Sequence, residues 1–203
     1  MRMIVMIALM IWPALALGDT APPVLPALYE VTGVASDDQL NIRAEPDAGS
    51  DIIGALAFDR TAVEVIAFST AGGWALVNHE ERSGWVAARF LQRSDIAPGP
   101  LGFPARNLTC YGTEPFWSLR ITPTEVLLST PEGDGSYPVK DAYFNREQSF
   151  IGANAAFFDW AADTMRVRSH ILPGICNDGM SDRTFGLHYI DDHFGHKGCC
   201  SLY

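Results

Sequence analysis

The chain has 203 residues and a formal net charge of -10, with 24 acidic side chains against 14 lysines and arginines. The acidity is spread, ten acidic to five basic residues over 25–93 and twelve to eight over 105–203, which favours solubility and argues against nucleic acid or anionic lipid as the main partner. The length exceeds the usual size of one domain, so two are expected.

Met1-Arg-Met carries one positive charge and precedes an apolar run from Met3 to Trp12, followed by Pro13 and Ala14-Leu-Ala-Leu-Gly18. A charged start, an apolar stretch and closing small residues read as a signal peptide over 1–18, cleaved after Gly18 or, alternatively, Ala16. The run falls short of the roughly 20 residues a spanning helix needs, and no second apolar segment follows. No cysteine lies near the cleavage position to carry a lipid. The expected location is periplasmic or secreted, with no membrane span.

Residues 25–93 read as short strands: Leu28 to Val34, Leu40 to Arg43, Ile52 to Leu56, Ala62 to Phe68, and a hairpin of Trp74 to Asn78 with Ser83 to Ala87. No segment has the length and 3.6-residue period of a helix. So many short strands in so few residues imply a small, highly curved barrel. Leu40-Asn-Ile-Arg-Ala-Glu-Pro46, Ile53-Gly54, Gly73-Trp74, Gly84-Trp85-Val86 and Phe90-Leu91 resemble a bacterial SH3-type domain along its whole length. The departure is Ala44-Glu45, where that family commonly has a small residue and glycine. The resemblance implies an extracytoplasmic setting and binding of cell-wall glycopeptide or an envelope protein.

Trp74 and Trp85 are candidate ligand-binding residues, because large flat aromatics offer contact area at little entropic cost. Core packing is the competing role, favoured for Trp85 and evenly balanced for Trp74. Asn41 and Arg43 alternate with Leu40 and Ile42 and so lie on the outer face, where a brace to a neighbouring turn is expected.

Residues 94–105 hold three prolines and two glycines. The segment reads as a semi-rigid linker that holds two domains apart at a preferred distance. Over 106–203 period-two alternation returns at 117–121, 165–171 and 185–189, with shorter runs at 126–129, 142–145, 150–153 and 157–160. About seven strands are expected, with a turn at Pro131-Glu-Gly-Asp-Gly135, in an antiparallel barrel or strongly curved sheet. The whole chain is therefore expected to be all-β, a small SH3-like barrel plus a second β-domain.

Four cysteines in an exported chain favour two disulfides, with three possible pairings. Adjacent Cys199 and Cys200 point to opposite faces if they sit on a strand, so they should reach different partners. Gly112-Thr-Glu-Pro-Phe-Trp117, Cys176-Asn-Asp-Gly-Met-Ser-Asp-Arg183 and Gly198-Cys199 are similar to a family of secreted bacterial proteins that look like META-type β-domains. This resemblance spans roughly 107–203 and brings no established reaction. It suggests Cys176 with Cys199, which leaves Cys110 with Cys200.

Asp178, Ser181 and Asp182 form a candidate binding surface, either as paired carboxylates or cation ligands, or else as a self-bonded turn with Arg183 pairing a nearby carboxylate. Glu114, between Thr113 and Pro115 and beside Phe116 and Trp117, would have a raised pKa if buried against the aromatics. Glu114 and Trp117 are therefore candidate ligand-binding residues. Asp191, His193 and His196 are weak candidates for metal, although they lie in an apparent hairpin turn where polar residues collect. The outer-face row Arg166, Arg168 and His170 could bind an anionic group, but a solvated strand face is the default reading.

The leading expectation is a periplasmic two-domain binding protein, with peptidoglycan or an envelope protein as partner, no cofactor and no assigned catalytic residue. The rivals are a cell-wall hydrolase using Glu114, Asp178 or Asp182, a thiol enzyme with an unpaired cysteine beside a histidine, and a metal-dependent envelope protein.

Overall fold

The computed structural model describes residues 24–96, 107–143, 156–162 and 165–202. They form an all-β structure in which a 3-10 turn at Ala88–Phe90 is the one helical element among the described residues. None of these contains a helix long and apolar enough to cross a membrane.

The first domain contains β1 (Ala27–Val31), β2 (Gln39–Arg43), β3 (Ile52–Ala57), β4 (Val63–Val65), β5 (Ala67–Phe68), β6 (Trp74–His79), β7 (Arg82–Ala87) and β8 (Leu91–Arg93). Two antiparallel sheets, β4-β1-β8 and β3-β2-β7-β6-β5, enclose a small core. Strand alternation supplies it: Leu40 and Ile42 from β2, Ala75 and Val77 from β6 and Val86 from β7 turn inward, while Gln39 and Asn41 face solvent.

The second domain is a closed antiparallel barrel of β9 (Leu108–Thr113), β10 (Phe116–Ile121), β11 (Glu125–Thr130), β12 (Gly133–Tyr143), β13 (Ala156–Ala162), β14 (Met165–Cys176), β15 (Phe185–Asp191) and β16 (Lys197–Leu202). Each strand pairs with its sequence neighbour, and β16 returns to β9 with Cys200 opposite Cys110 and Leu202 opposite Leu108. Closure leaves no open sheet edge. Trp160, Tyr189, Phe158, Leu119, Ile171 and Leu187 fill the interior and are essentially inaccessible.

Eight strands thus replace the expected seven. The two missed in the sequence, β9 and β16, carry the cysteines and small residues that dilute the apolar signal. The turn after β11 is also tighter than expected: Gly133 already pairs with Thr130, so Pro131 and Glu132 alone make it. Of the run expected at 142–145, Ala142 and Tyr143 end β12; residues 144–145 and the run at 150–153 lie outside the described residues.

The two domains are docked rather than held apart. In β1 the alternation is split between them: Ala27, Tyr29 and Val31 face the first core, and Leu28 joins the core of the second barrel together with Ile96. A strand apolar on both faces must be covered on both faces, and the barrel covers the second. Gly186 permits this closeness, because a Cβ there would lie 2.9 Å from the Pro26 ring. Hydrogen bonds complete the junction: Asn78 Nδ2 donates to the Thr184 carbonyl at 2.8 Å, the Thr184 N–H donates to Ser83 Oγ at 2.7 Å, and the Ser83 N–H donates to the Asp182 carbonyl at 3.0 Å. Residues 97–105 of the Pro/Gly stretch lie outside the described residues.

Candidate functional site

The loop between β14 and β15 is anchored at both ends. Cys176 is disulfide-bonded to Cys199 at its start, and Thr184 is held by Asn78 and Ser83 at its end. Between them, Asp178 Oδ1 accepts the N–H groups of Met180 and Ser181, each at 3.0 Å, and Ser181 Oγ donates to Oδ2 at 3.0 Å. Asn177 Oδ1 takes the Gly179 N–H at 2.7 Å, and Gly179 itself adopts φ 73°, where a side chain would be strained. Burial pushes the Asp178 carboxyl up. The N–H groups of Ser181 and Met180, the Ser181 hydroxyl and the Arg183 charge outweigh this and hold it below its ordinary value. A carboxylate so satisfied is a structural anion and is unsuited to delivering a proton.

Asp182 does not pair with Asp178. Its side chain is exposed, and its backbone carbonyl is spent on the Ser83 N–H. Arg183 places its guanidinium 5.0 Å above the Phe185 ring and lends its charge to both Asp178 and Glu64. Glu114 is exposed on the β9–β10 turn, contrary to burial against the aromatics. Its neighbour Trp117 is the buried one, at 4% exposure, because strand alternation sends position 117 inward.

Around this loop lies an open cleft of about 520 Å³. Its walls bring Trp117, Asp178 and Ser181 together with Phe116, Met180 and Glu81, whereas Glu114 and Asp182 do not line it. Phe116 and Met180 are 57% and 64% exposed. Glu81 comes from the β6–β7 turn of the first domain, so docking of the domains adds to a wall that the barrel otherwise supplies. Sequence reading missed Glu81, Phe116 and Met180. For Phe116 a signal existed, since in β10 it falls on the face opposite Trp117, Leu119 and Ile121.

The weak metal candidates have other tasks. Asp191 Oδ1 accepts the N–H groups of His193, Phe194 and Gly195, and its Oδ2 lies 3.0 Å from His196 Nδ1. The His196 ring is buried, stacked at 4.8 Å on Trp117 and at 5.2 Å on Phe194, while His193 is exposed. Among the described residues no cluster of three acidic, histidine or cysteine side chains is placed to hold a metal. Deeper in the barrel Trp160 Nε1 donates to Ser169 Oγ at 2.9 Å, and Ser169 Oγ lies 2.8 Å from the Tyr189 hydroxyl. Burial there raises the Tyr189 phenol above its ordinary value.

The four cysteines form Cys110–Cys200 and Cys176–Cys199, so no free thiol exists for nucleophilic chemistry. Arg166 and Arg168 are not a free anion-binding row: both engage buried Asp159, Arg166 through Nε at 2.8 Å and Arg168 through Nε at 3.5 Å.

On the first domain, Trp74 and Trp85 alternate with buried Ala75, Gly84 and Val86 and are half-buried on the outer face. The expectation that Trp85 fills the interior is thereby corrected, since neither tryptophan belongs to the core. Trp74 borders a second hollow, about 280 Å³, with Asn41, Arg43, Arg89 and Phe90. Arg43 is braced there, its Nη1 donating to the Ser50 carbonyl at 2.5 Å.

Residues 38–92 match the bacterial SH3 domain family, so the first domain is a bacterial SH3 domain. Comparison with curated proteins and with solved structures found no match.

Proposed function

We propose that the protein is an exported binding protein of the bacterial cell envelope. Its SH3 domain attaches to peptidoglycan or an envelope protein, and the cleft at the domain junction receives a second ligand. The observation that carries this reading is the outward placement of Trp74 and Trp85. A domain this small that keeps two tryptophans out of its own core presents them as contact surface. The signal-like residues 1–18 and the two disulfides support an oxidising compartment. A binding role also accords with the carboxylates, since Asp178 is saturated by its own turn and Glu114 and Asp182 stand outside the cleft.

The test is retention of the full chain on purified peptidoglycan sacculi and on immobilised envelope extract. Retention on one of them, weakened by Trp74→Ala with the fold intact by circular dichroism, is the expected result. No retention on either, or retention indifferent to Trp74→Ala and Trp85→Ala together, overturns the reading.

A further inference from the structure

The junction cleft continues into a neighbour. A hollow of about 350 Å³ lies alongside it, bordered by Ile175, Ile190 and Lys197, and the two meet at Tyr111, Gly112, Thr113 and Asp178. Together they form one continuous groove along the end of β9.

Three features of this groove point to the same class of occupant. The first is a pair of exposed apolar residues in each half: Phe116 and Met180 at 57% and 64% in one, Ile175 and Ile190 at 60% and 38% in the other. The second is the floor. The ladder between β9 and β16 ends at the Tyr111–Cys199 pair, so the β16-facing edge of Gly112 and Thr113 lies outside it where the two halves meet. Gly112 is itself buried, and its missing Cβ makes room for the Trp117 indole on the barrel side. A half-buried strand end at Thr113, flanked by apolar hollows, suits an extended peptide whose side chains enter the hollows. The third is charge. Glu81 borders one half and Lys197 the other; both are exposed, and neither has an ion-pair or hydrogen-bond partner among the described residues. Between them, Asp178 is satisfied by its own turn, and Arg183 stacks over the Phe185 ring with its buried Nε left without a hydrogen-bond partner among the described residues.

We propose that this groove binds an extended peptide with two apolar side chains between a cationic and an anionic group, the cationic end at Glu81 and the anionic end at Lys197. The inference rests on reading the junction cleft as a binding surface, and it fails separately from attachment through the SH3 domain. Opposite end charges set preference among peptides, while the apolar hollows supply contact common to all of them.

The probes are three capped hexapeptides of sequence Lys-Leu-Ala-Leu-Ala-Glu, Glu-Leu-Ala-Leu-Ala-Glu and Lys-Leu-Ala-Leu-Ala-Lys, titrated into the full chain by calorimetry at low salt. The Lys/Glu peptide is expected to bind about tenfold more tightly than either peptide of a single sign. Glu81→Lys should move the preference to the Glu/Glu peptide, and Lys197→Glu to the Lys/Lys peptide. Both positions are exposed, so neither change disturbs the core, and a gain for the matched peptide cannot come from misfolding. Equal affinity for all three peptides, absence of binding by the wild-type chain, or a ranking that the two charge reversals leave unchanged each overturns the proposal. If sacculus or envelope retention persists in those cases, the SH3 reading stands and only the groove assignment falls.

Discussion

Glu64, on β4 of the SH3 domain, accepts a hydrogen bond at Oε1 from the Leu202 N–H of the barrel at 3.1 Å. It stands opposite Leu28 in the sheet and, like Leu28, looks out of the SH3 core toward the second domain. A carboxyl only 9% exposed pays for its place by burial, and its pKa is pushed up to about 8; the Leu202 N–H and the Arg183 charge offset this only in part.

Stability should therefore fall as pH rises from about 4.5 to about 8. The ordinary value is 4.5, so across that window the folded chain keeps a proton that the unfolded chain has released. The contribution is complete below the window and is lost as pH passes the folded pKa, with an upper bound of ~5 kcal/mol. Urea unfolding at pH 5 and pH 9 measures it, with Glu64→Gln as reference. The variant should lose much less stability between the two values. An identical loss in both proteins would assign the effect to other groups.

The buried hydroxyl of Ser169 serves both Trp160 Nε1 and the Tyr189 hydroxyl. Ser169→Ala leaves an indole N–H and a phenol without their shared partner inside the barrel, at a cost of ~1–3 kcal/mol. Tyr189→Phe should cost less, because the Trp160–Ser169 bond survives. Denaturation midpoints for the two variants give the comparison, and a Ser169→Ala protein as stable as wild type would refute the role assigned to the hydroxyl.

The two disulfides close loops of different reach, with sequence separations of 23 for Cys176–Cys199 and 90 for Cys110–Cys200. On chain-entropy grounds the paired serine replacements should cost ~3 kcal/mol for the first and ~4–5 kcal/mol for the second. The second bridge also ties β9 to β16, the seam at which the barrel closes. Thiol titration of the wild-type chain in denaturant should find no free thiol. Comparable unfolding free energies for the two double variants would show that loop length does not set the ranking.

Where a strand has one buried face, its sequence announces it. Leu40 and Ile42, the hairpin around residues 79–82, and the alternation through β10, β14 and β15 are legible because each second residue meets a core. β9 and β16 are not, since Gly112, Gly198 and the cysteines take places that an aliphatic residue would mark. Docking of the domains was hidden for a different reason. Period two assigns Leu28 to a face but cannot say what covers that face, and here a second domain covers it. The cleft was half legible: Asp178, Ser181 and Trp117 are near one another through the loop and its disulfide, but Glu81 arrives only by way of the docked SH3 turn.

That turn contains a strained residue. Glu80 adopts φ 52° between His79 and Glu81, a left-handed conformation that costs a side-chain-bearing residue ~1–2 kcal/mol and glycine almost nothing. The Glu80 side chain is exposed and no hydrogen bond or ion pair engages it among the described residues, so replacement removes no contact. Glu80→Gly should stabilise the chain by up to ~1 kcal/mol, the relieved strain being reduced by the greater freedom of glycine in the unfolded state. Glu80→Ala keeps the strain and should leave stability unchanged, which separates backbone relief from loss of a negative charge. Urea midpoints for the two variants decide it: a glycine variant no more stable than the alanine variant would mean that the turn holds no strain to release.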